Sequence, residues 1–185
     1  MKCPSCKGYE LQANEIEVGL LAAEFVKCEG KLLSIMHYQY WLEKFFIFHH
    51  DDIEAASVEV KKLAPVDSHE AKLCPKCSRL MSKFQIEHDI DNRLDMCAAC
   101  EEVWLDKGEW QLLKSLDLQS DLPKIFTDAW QRKIRIQKRE EYQKERYIGL
   151  LGEDDFNKVD NFQRWVNAHP EKLLIRQYIV ASSIG

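Results

Sequence analysis

Few features of this 185-residue chain suit it to a membrane or to a familiar active site. No run of eighteen apolar residues occurs, and Met1-Lys2-Cys3 stands where a secretory leader would place a charged and then an apolar region. No Gly-rich loop is built to cradle phosphate. No Gly-x-Ser-x-Gly elbow presents a nucleophile, and no His-Glu-x-x-His pair is spaced for a catalytic metal. An excess of one charge is also missing, since 31 acids against 26 bases leave only −5. The expectation is a cytoplasmic protein that is not an enzyme and spans no membrane. That compartment keeps thiols reduced, so cysteines read as metal ligands rather than as a disulfide framework.

Seven cysteines are present, and four of them form two C-x-x-C pairs: Cys74-Pro75-Lys76-Cys77 and Cys97-Ala98-Ala99-Cys100. Each pair makes a tight turn with two inward sulfurs. Two such turns can surround one Zn²⁺ tetrahedrally, because the ion imposes no geometric preference of its own. Four thiolates close the coordination sphere, so the site is structural. A redox C-x-x-C or a disulfide would leave the second pair unexplained. Four negative charges against two also require backbone N–H groups and cations nearby.

The other three cysteines point to duplication. Cys3-Pro4-Ser5-Cys6 has the same knuckle pattern, and a shift of 72 lays Cys28-Glu29-Gly30 on Cys100-Glu101-Glu102, with a one-residue length change between knuckles. Phe25 then falls on Cys97, so the first copy holds three of four ligands: Cys3, Cys6 and Cys28. Four outcomes are open there. Phe25 can fill the missing ligand's volume and leave a metal-free scaffold. His37 can complete a Cys₃His site, or a water can complete a three-thiolate zinc. Without metal, the three thiols can act as a redox sensor.

The segment from Cys74 to Leu116, with Val103-Trp104-Leu105-Asp106-Lys107-Gly108-Glu109 after its last knuckle, resembles the bacterial zinc-finger family named for similarity to the zinc ribbon of transcription factor IIB. Pro123-Lys124-Ile125-Phe126-Thr127 and Ala129-Trp130-Gln131-Arg132 are similar to the tail of its two-ribbon members. The resemblance implies a zinc-ribbon fold, Cys74, Cys77, Cys97 and Cys100 as zinc ligands and, by the family's name, nucleic-acid association. Phe25 is the departure from that pattern.

The expected fold is small α+β: two zinc-ribbon-plus-helix modules, the first lacking one Cys ligand, then a three-helix α-helical tail. The boundaries are 1–48 for the degenerate first module, 49–72 for a linker, 73–117 for the second module and 118–185 for the tail. In the first module, Glu10–Ala13 and Leu20–Phe25 read as strands around a turn near Gly19. Ser34 reads as the cap of an aromatic-faced helix (Ile35, Tyr38, Trp41, Leu42, Phe45, Phe46) reaching Phe48. The linker holds His49-His50-Asp51-Asp52, whose adjacent ligands converge poorly on one ion, a short element between Ala55 and Leu63, and Pro65 to end it.

In the second module Phe84–Glu87 and Arg93–Met96 read as strands, and Asp106 with Glu109 as a capping box. Trp104 is expected to cover the metal site or pack on the helix. A long helix over 123–148 starts at Pro123. The next carries Phe156, Val159, Phe162 and Val166 at burial spacing, the last follows Pro170, and the final five residues are frayed.

Two principal functions follow, with the redox or zinc sensor at the three-Cys site a further alternative. One is an interaction module or adaptor with a protein partner. The other is a nucleic-acid reader using Arg132, Lys133, Arg135, Lys138 and Arg139, because residues 131–146 carry seven bases against three acids. Interleaved glutamates weaken that field.

Overall fold

The computed structural model describes residues 1–8, 11–46 and 70–181. Glu10, the expected linker as far as His69, the end of the first helix beyond Phe46 and residues 182–185 lie outside the described residues. Two compact units are present, Met1–Arg135 and Ile136–Gly185.

The first unit is built on a six-stranded antiparallel sheet of order β1-β2-β3-β6-β5-β4. Its strands are β1 (Leu11–Glu17), β2 (Leu20–Phe25), β3 (Gly30–Ser34), β4 (Ser82–Gln85), β5 (Arg93–Cys97) and β6 (Glu102–Leu105). Gly19 (φ 79°) closes the first hairpin in the left-handed conformation a tight turn needs, and its N–H donates to Glu15 Oε1 at 2.7 Å. The duplication is visible in the register. β2 pairs β3 as Ala23↔Leu32, Glu24↔Lys31 and Phe25↔Gly30, and β5 pairs β6 as Asp95↔Trp104, Met96↔Val103 and Cys97↔Glu102. Each pair in the second set lies 72 residues beyond one in the first.

The two copies meet through β3 and β6. Leu32 pairs with Trp104, its own counterpart in the repeat, and Lys31↔Leu105 and Leu33↔Val103 flank that pair symmetrically. The contact is therefore isologous, as between two subunits related by a local two-fold axis. Alternation along the strands divides the core between the two faces. Leu33, Val103, Leu105 and Leu94 join Tyr38, Trp41, Trp110 and Leu113 in one cluster. Leu32, Trp104, Phe25 and Met81 join Cys3, Cys74 and Cys97 in the other.

Helix α1 (Ile35–Trp41) follows Ser34 directly and continues as a π-helical turn, Leu42–Phe46. Ile35, Tyr38 and Trp41 are buried, as the aromatic stripe predicts; Tyr38 Oη donates to the Gln119 carbonyl at 2.9 Å and Trp41 Nε1 to that of Val18 at 2.9 Å. Helix α2 (Glu109–Ser115) brings Trp110 to Trp41, ring centroids 6.3 Å apart.

The long helix expected over 123–148 is divided. A short α3 (Leu122–Ile125) stops before α4 (Asp128–Leu151), because Thr127 Oγ1 accepts the Trp130 N–H at 3.3 Å and starts a new helix. Early in α4, Gln131 imitates a strand beside the outer strand β4: its Oε1 accepts the Gln85 N–H at 3.2 Å and its Nε2 donates to the Gln85 carbonyl at 2.8 Å. Those bonds satisfy backbone groups that an edge strand leaves open.

In the second unit, α5 (Glu153–Ala168) and α6 (Lys172–Ala181) follow the remainder of α4. Among the described residues the sequence contains six α-helices in all. Of the four positions spaced for burial in α5, only Val166 is buried; Val159 is 53% and Phe162 46% exposed. Helix α6 buries none of its residues. Periodicity marks an apolar face, and whether anything covers it is a tertiary matter.

Candidate metal centre

Each cysteine turn repeats in both copies. Cys3 N–H donates to the Gly8 carbonyl and Cys74 N–H to that of Arg79, both at 2.8 Å, with Lys7 and Ser78 at φ 59° in matching positions. The second knuckles also match. Glu29 and Glu101 adopt φ 55° and 53°, and their N–H groups donate to the carbonyls of Phe25 and Cys97 at 2.9 and 2.8 Å. The backbone of Phe25 therefore makes the turn that Cys97 makes.

In the second copy the sulfurs of Cys74, Cys77, Cys97 and Cys100 all lie within 4.8 Å of one another, Cys77 and Cys97 at 3.5 Å. A Zn–S bond of about 2.3 Å sets tetrahedral sulfurs roughly 3.8 Å apart, so this donor set fits such an ion in number, type and spacing. Cys74 and Cys97 face the apolar cluster and Cys77 faces outward. The Arg79 N–H, then the neighbouring Cys100 thiol, bring Cys77 down to about 7. The Cys77 side chain, with burial, pushes Cys100 up to about 12, and burial raises Cys74 despite the N–H groups of Cys77 and Lys76. Crowded thiols thus share protons unevenly, and a central cation would remove that repulsion.

Positive charge stands close by. Lys76, inside the first knuckle, pairs with the buried Glu102 and feels Cys100 and Cys74. Lys72, 2% exposed, donates to Asp95 Oδ2 at 2.9 Å and Asp106 Oδ2 at 2.8 Å, and Lys83 reaches Asp95 at 2.9 Å. Burial acts to lower the Lys72 ammonium, but the Asp106 and Asp95 bonds outweigh it and hold it above its usual value. No local pattern marks this network, because Lys72 lies at the end of a polar stretch and its partners are 23 and 34 residues away.

Asp106 has partners beyond the expected capping box. Its Oδ1 accepts the Trp104 indole N–H at 2.7 Å, while Glu109 Oε2 still accepts the Asp106 N–H at 2.8 Å. The helix cap itself is Gly108 at φ 87°. Glu109 thus makes its half of the reciprocal motif, while Lys72 and Trp104 also engage the aspartate.

In the first copy the sulfurs of Cys3, Cys6 and Cys28 also lie within 4.8 Å of one another, and Cys3 and Cys28 are 3.5 Å apart. Burial acts against ionising Cys6, but the Gly8 N–H and the thiols of Cys3 and Cys28 outweigh it and lower the group. Burial pushes Cys28 up to about 12 against the Gly30 N–H, with Cys3 and Cys6 adding to the rise. His37 is exposed and does not join this cluster, so it supplies no fourth donor. Phe25 is 1% exposed and packs against Trp104, ring centroids 5.6 Å apart.

Comparison with protein-family models, with curated proteins and with solved structures finds no match for this chain. Among the described residues, two cysteine clusters could hold metal ions, four thiols in one and three in the other.

Of the basic residues, Arg132, Lys133, Arg135 and Arg139 are exposed on α4 and Lys138 is half-buried; Lys133 lies 5.8 Å from the Trp130 ring centroid. No helix among the described residues is long and apolar enough to cross a membrane.

Proposed function

We propose that this is a non-enzymatic zinc-binding adaptor of the two-ribbon kind that the sequence resembles. Cys74, Cys77, Cys97 and Cys100 hold structural Zn²⁺, and the helices after residue 136 dock a protein partner. The carrying observation is the exposure of large apolar side chains in that second unit. Phe162, Trp165, Leu174, Tyr178 and Val180 are all exposed, Trp165 by 53% and Tyr178 by 75%. Described residues 136–181 that cover so little of their own apolar surface favour association, and exposed aromatics are the usual anchors of a protein interface. The closed four-thiolate donor set supports a structural metal, since it leaves no position for a substrate.

Two measurements test this reading. Cys97→Ser should eliminate bound zinc and unfold the sheet, because the ligands' binding energy is folding energy. Unaltered zinc content would overturn the metal assignment. Protein partners retained from nuclease-treated lysate should be lost by Phe162→Asp combined with Trp165→Asp while zinc is kept. Partners that vanish with nuclease alone would move the function to nucleic acid and to Arg132, Lys133, Arg135, Lys138 and Arg139.

A further inference from the structure

The first copy has lost a ligand but kept the rest of a metal site. Its three sulfurs lie within 4.8 Å of one another, Cys3 is buried, and Cys6 and Cys28 are half-buried. The N–H donors that favour thiolates are in place: Cys6 N–H lies 3.3 Å from Cys3 Sγ, and the N–H groups of Gly8 and Gly30 reach Cys6 and Cys28. A scaffold that merely packed would have no use for this arrangement.

The missing corner decides which ion fits. It belongs to Phe25, whose turn matches that of Cys97 and whose ring is buried against Trp104. Trp104 reaches that position because Gly30 has no side chain; a Cβ there would lie 2.2 Å from the indole Cζ2. The buried rings of Phe25 and Trp104 stand at that corner and offer a bound water no hydrogen-bond partner. No His, Asp or Glu among the described residues joins the three sulfurs. Zinc in a protein site takes four ligands, whereas soft thiolate donors also select Cu(I), which accepts three. Charge agrees with this choice. Three thiolates around a monovalent ion leave the same −2 as four around a divalent one, and the two knuckle systems present matching N–H donors.

We propose that Cys3, Cys6 and Cys28 form a three-coordinate thiolate site for a soft monovalent cation, Cu(I), separate from the four-thiolate centre. Binding releases the remaining thiol protons to solvent and changes no oxidation state.

The test uses the full chain, reduced and anaerobic, with its zinc content measured beforehand. It is titrated with Cu(I) supplied as its acetonitrile complex, and zinc release is followed with a colorimetric chelator. The first equivalent should bind with thiolate-to-copper absorption in the ultraviolet, show three sulfur neighbours by X-ray absorption and release no zinc. Cys28→Ser should lose that equivalent and keep its zinc. Phe25→Cys should gain a second zinc, and Cys28→Ser decides the matter if that variant does not fold. Ejection of zinc by the first equivalent, unchanged copper uptake by Cys28→Ser, or a drop of one zinc in Cys28→Ser would each overturn the proposal. Failure of the four-thiolate reading is separately visible, as a Cys97→Ser variant that keeps the wild-type zinc content.

Discussion

Trp104 shows how one side chain can take several roles through its place in the sheet. It stands in the pair that relates the two copies, is fully buried, and is fixed by its indole N–H on Asp106. Its ring lies over Gly30 and against Phe25. The counterpart of Gly30 in the second copy is Glu102, which instead meets Lys76. Backbones that share register and turns therefore carry opposite solutions, an aromatic plug in one copy and an ion pair in the other. Gly30→Ala should destabilise the first unit by about 1–3 kcal/mol, because the added methyl overlaps a ring that cannot retreat. Urea unfolding checks this. Trp104→Leu, which restores the residue found at position 32, should make the Gly30→Ala cost smaller than in wild type. Equal costs in both backgrounds would remove the steric explanation.

At the level of elements, strand pairing rather than propensity sets the electrostatics. Glu24 and Lys31 are direct partners across β2 and β3, 2.9 Å apart, and Asn14 Nδ2 donates to the same carboxylate at 2.6 Å. Burial alone would raise Glu24, but the Lys31 bond and charge, with Gln12 and Asn14, hold its carboxyl below the ordinary 4.5. A carboxyl lowered in the folded state contributes stability that is present above its unfolded value and disappears as pH falls through its folded value. Glu24→Gln should cost about 1 kcal/mol at neutral pH and less on acidification. The check is the gap between wild-type and variant urea midpoints, which should narrow steadily from about pH 5 downward. A gap that stays constant with pH would assign the loss to packing instead.

For the whole molecule, the shared sheet has the largest consequence. The helical-face core mixes Leu20, Leu33 and Trp41 of the first copy with Leu94, Val103 and Trp110 of the second. The cysteine face likewise mixes Cys3 and Phe25 with Cys74 and Cys97. Neither copy encloses a core by itself, so removing metal from the four-thiolate site should open both. With a strong zinc chelator, amide exchange in β1–β2 should accelerate in parallel with that in β4–β5. Persistent protection of β1–β2 would show that the first copy stands alone.

Much of this was legible in the residues. Cysteine spacing and the offset of 72 reveal both clusters, the duplicated turns and the substitution at Phe25, because ligand geometry and tight turns depend on neighbours a few residues away. The break at Thr127 is also a local hydrogen bond, yet it hides beneath a continuous apolar period. What the chain alone determined is thus the local chemistry: two cysteine turns per copy, a hairpin in each, and helices that follow. Only the tertiary structure decided that β3 pairs with β6, that Lys72 is buried between Asp95 and Asp106, and that the apolar face of α5 stays largely uncovered. Those outcomes depend on residues dozens of positions apart meeting in space, and no short-range pattern encodes which of the available surfaces will meet.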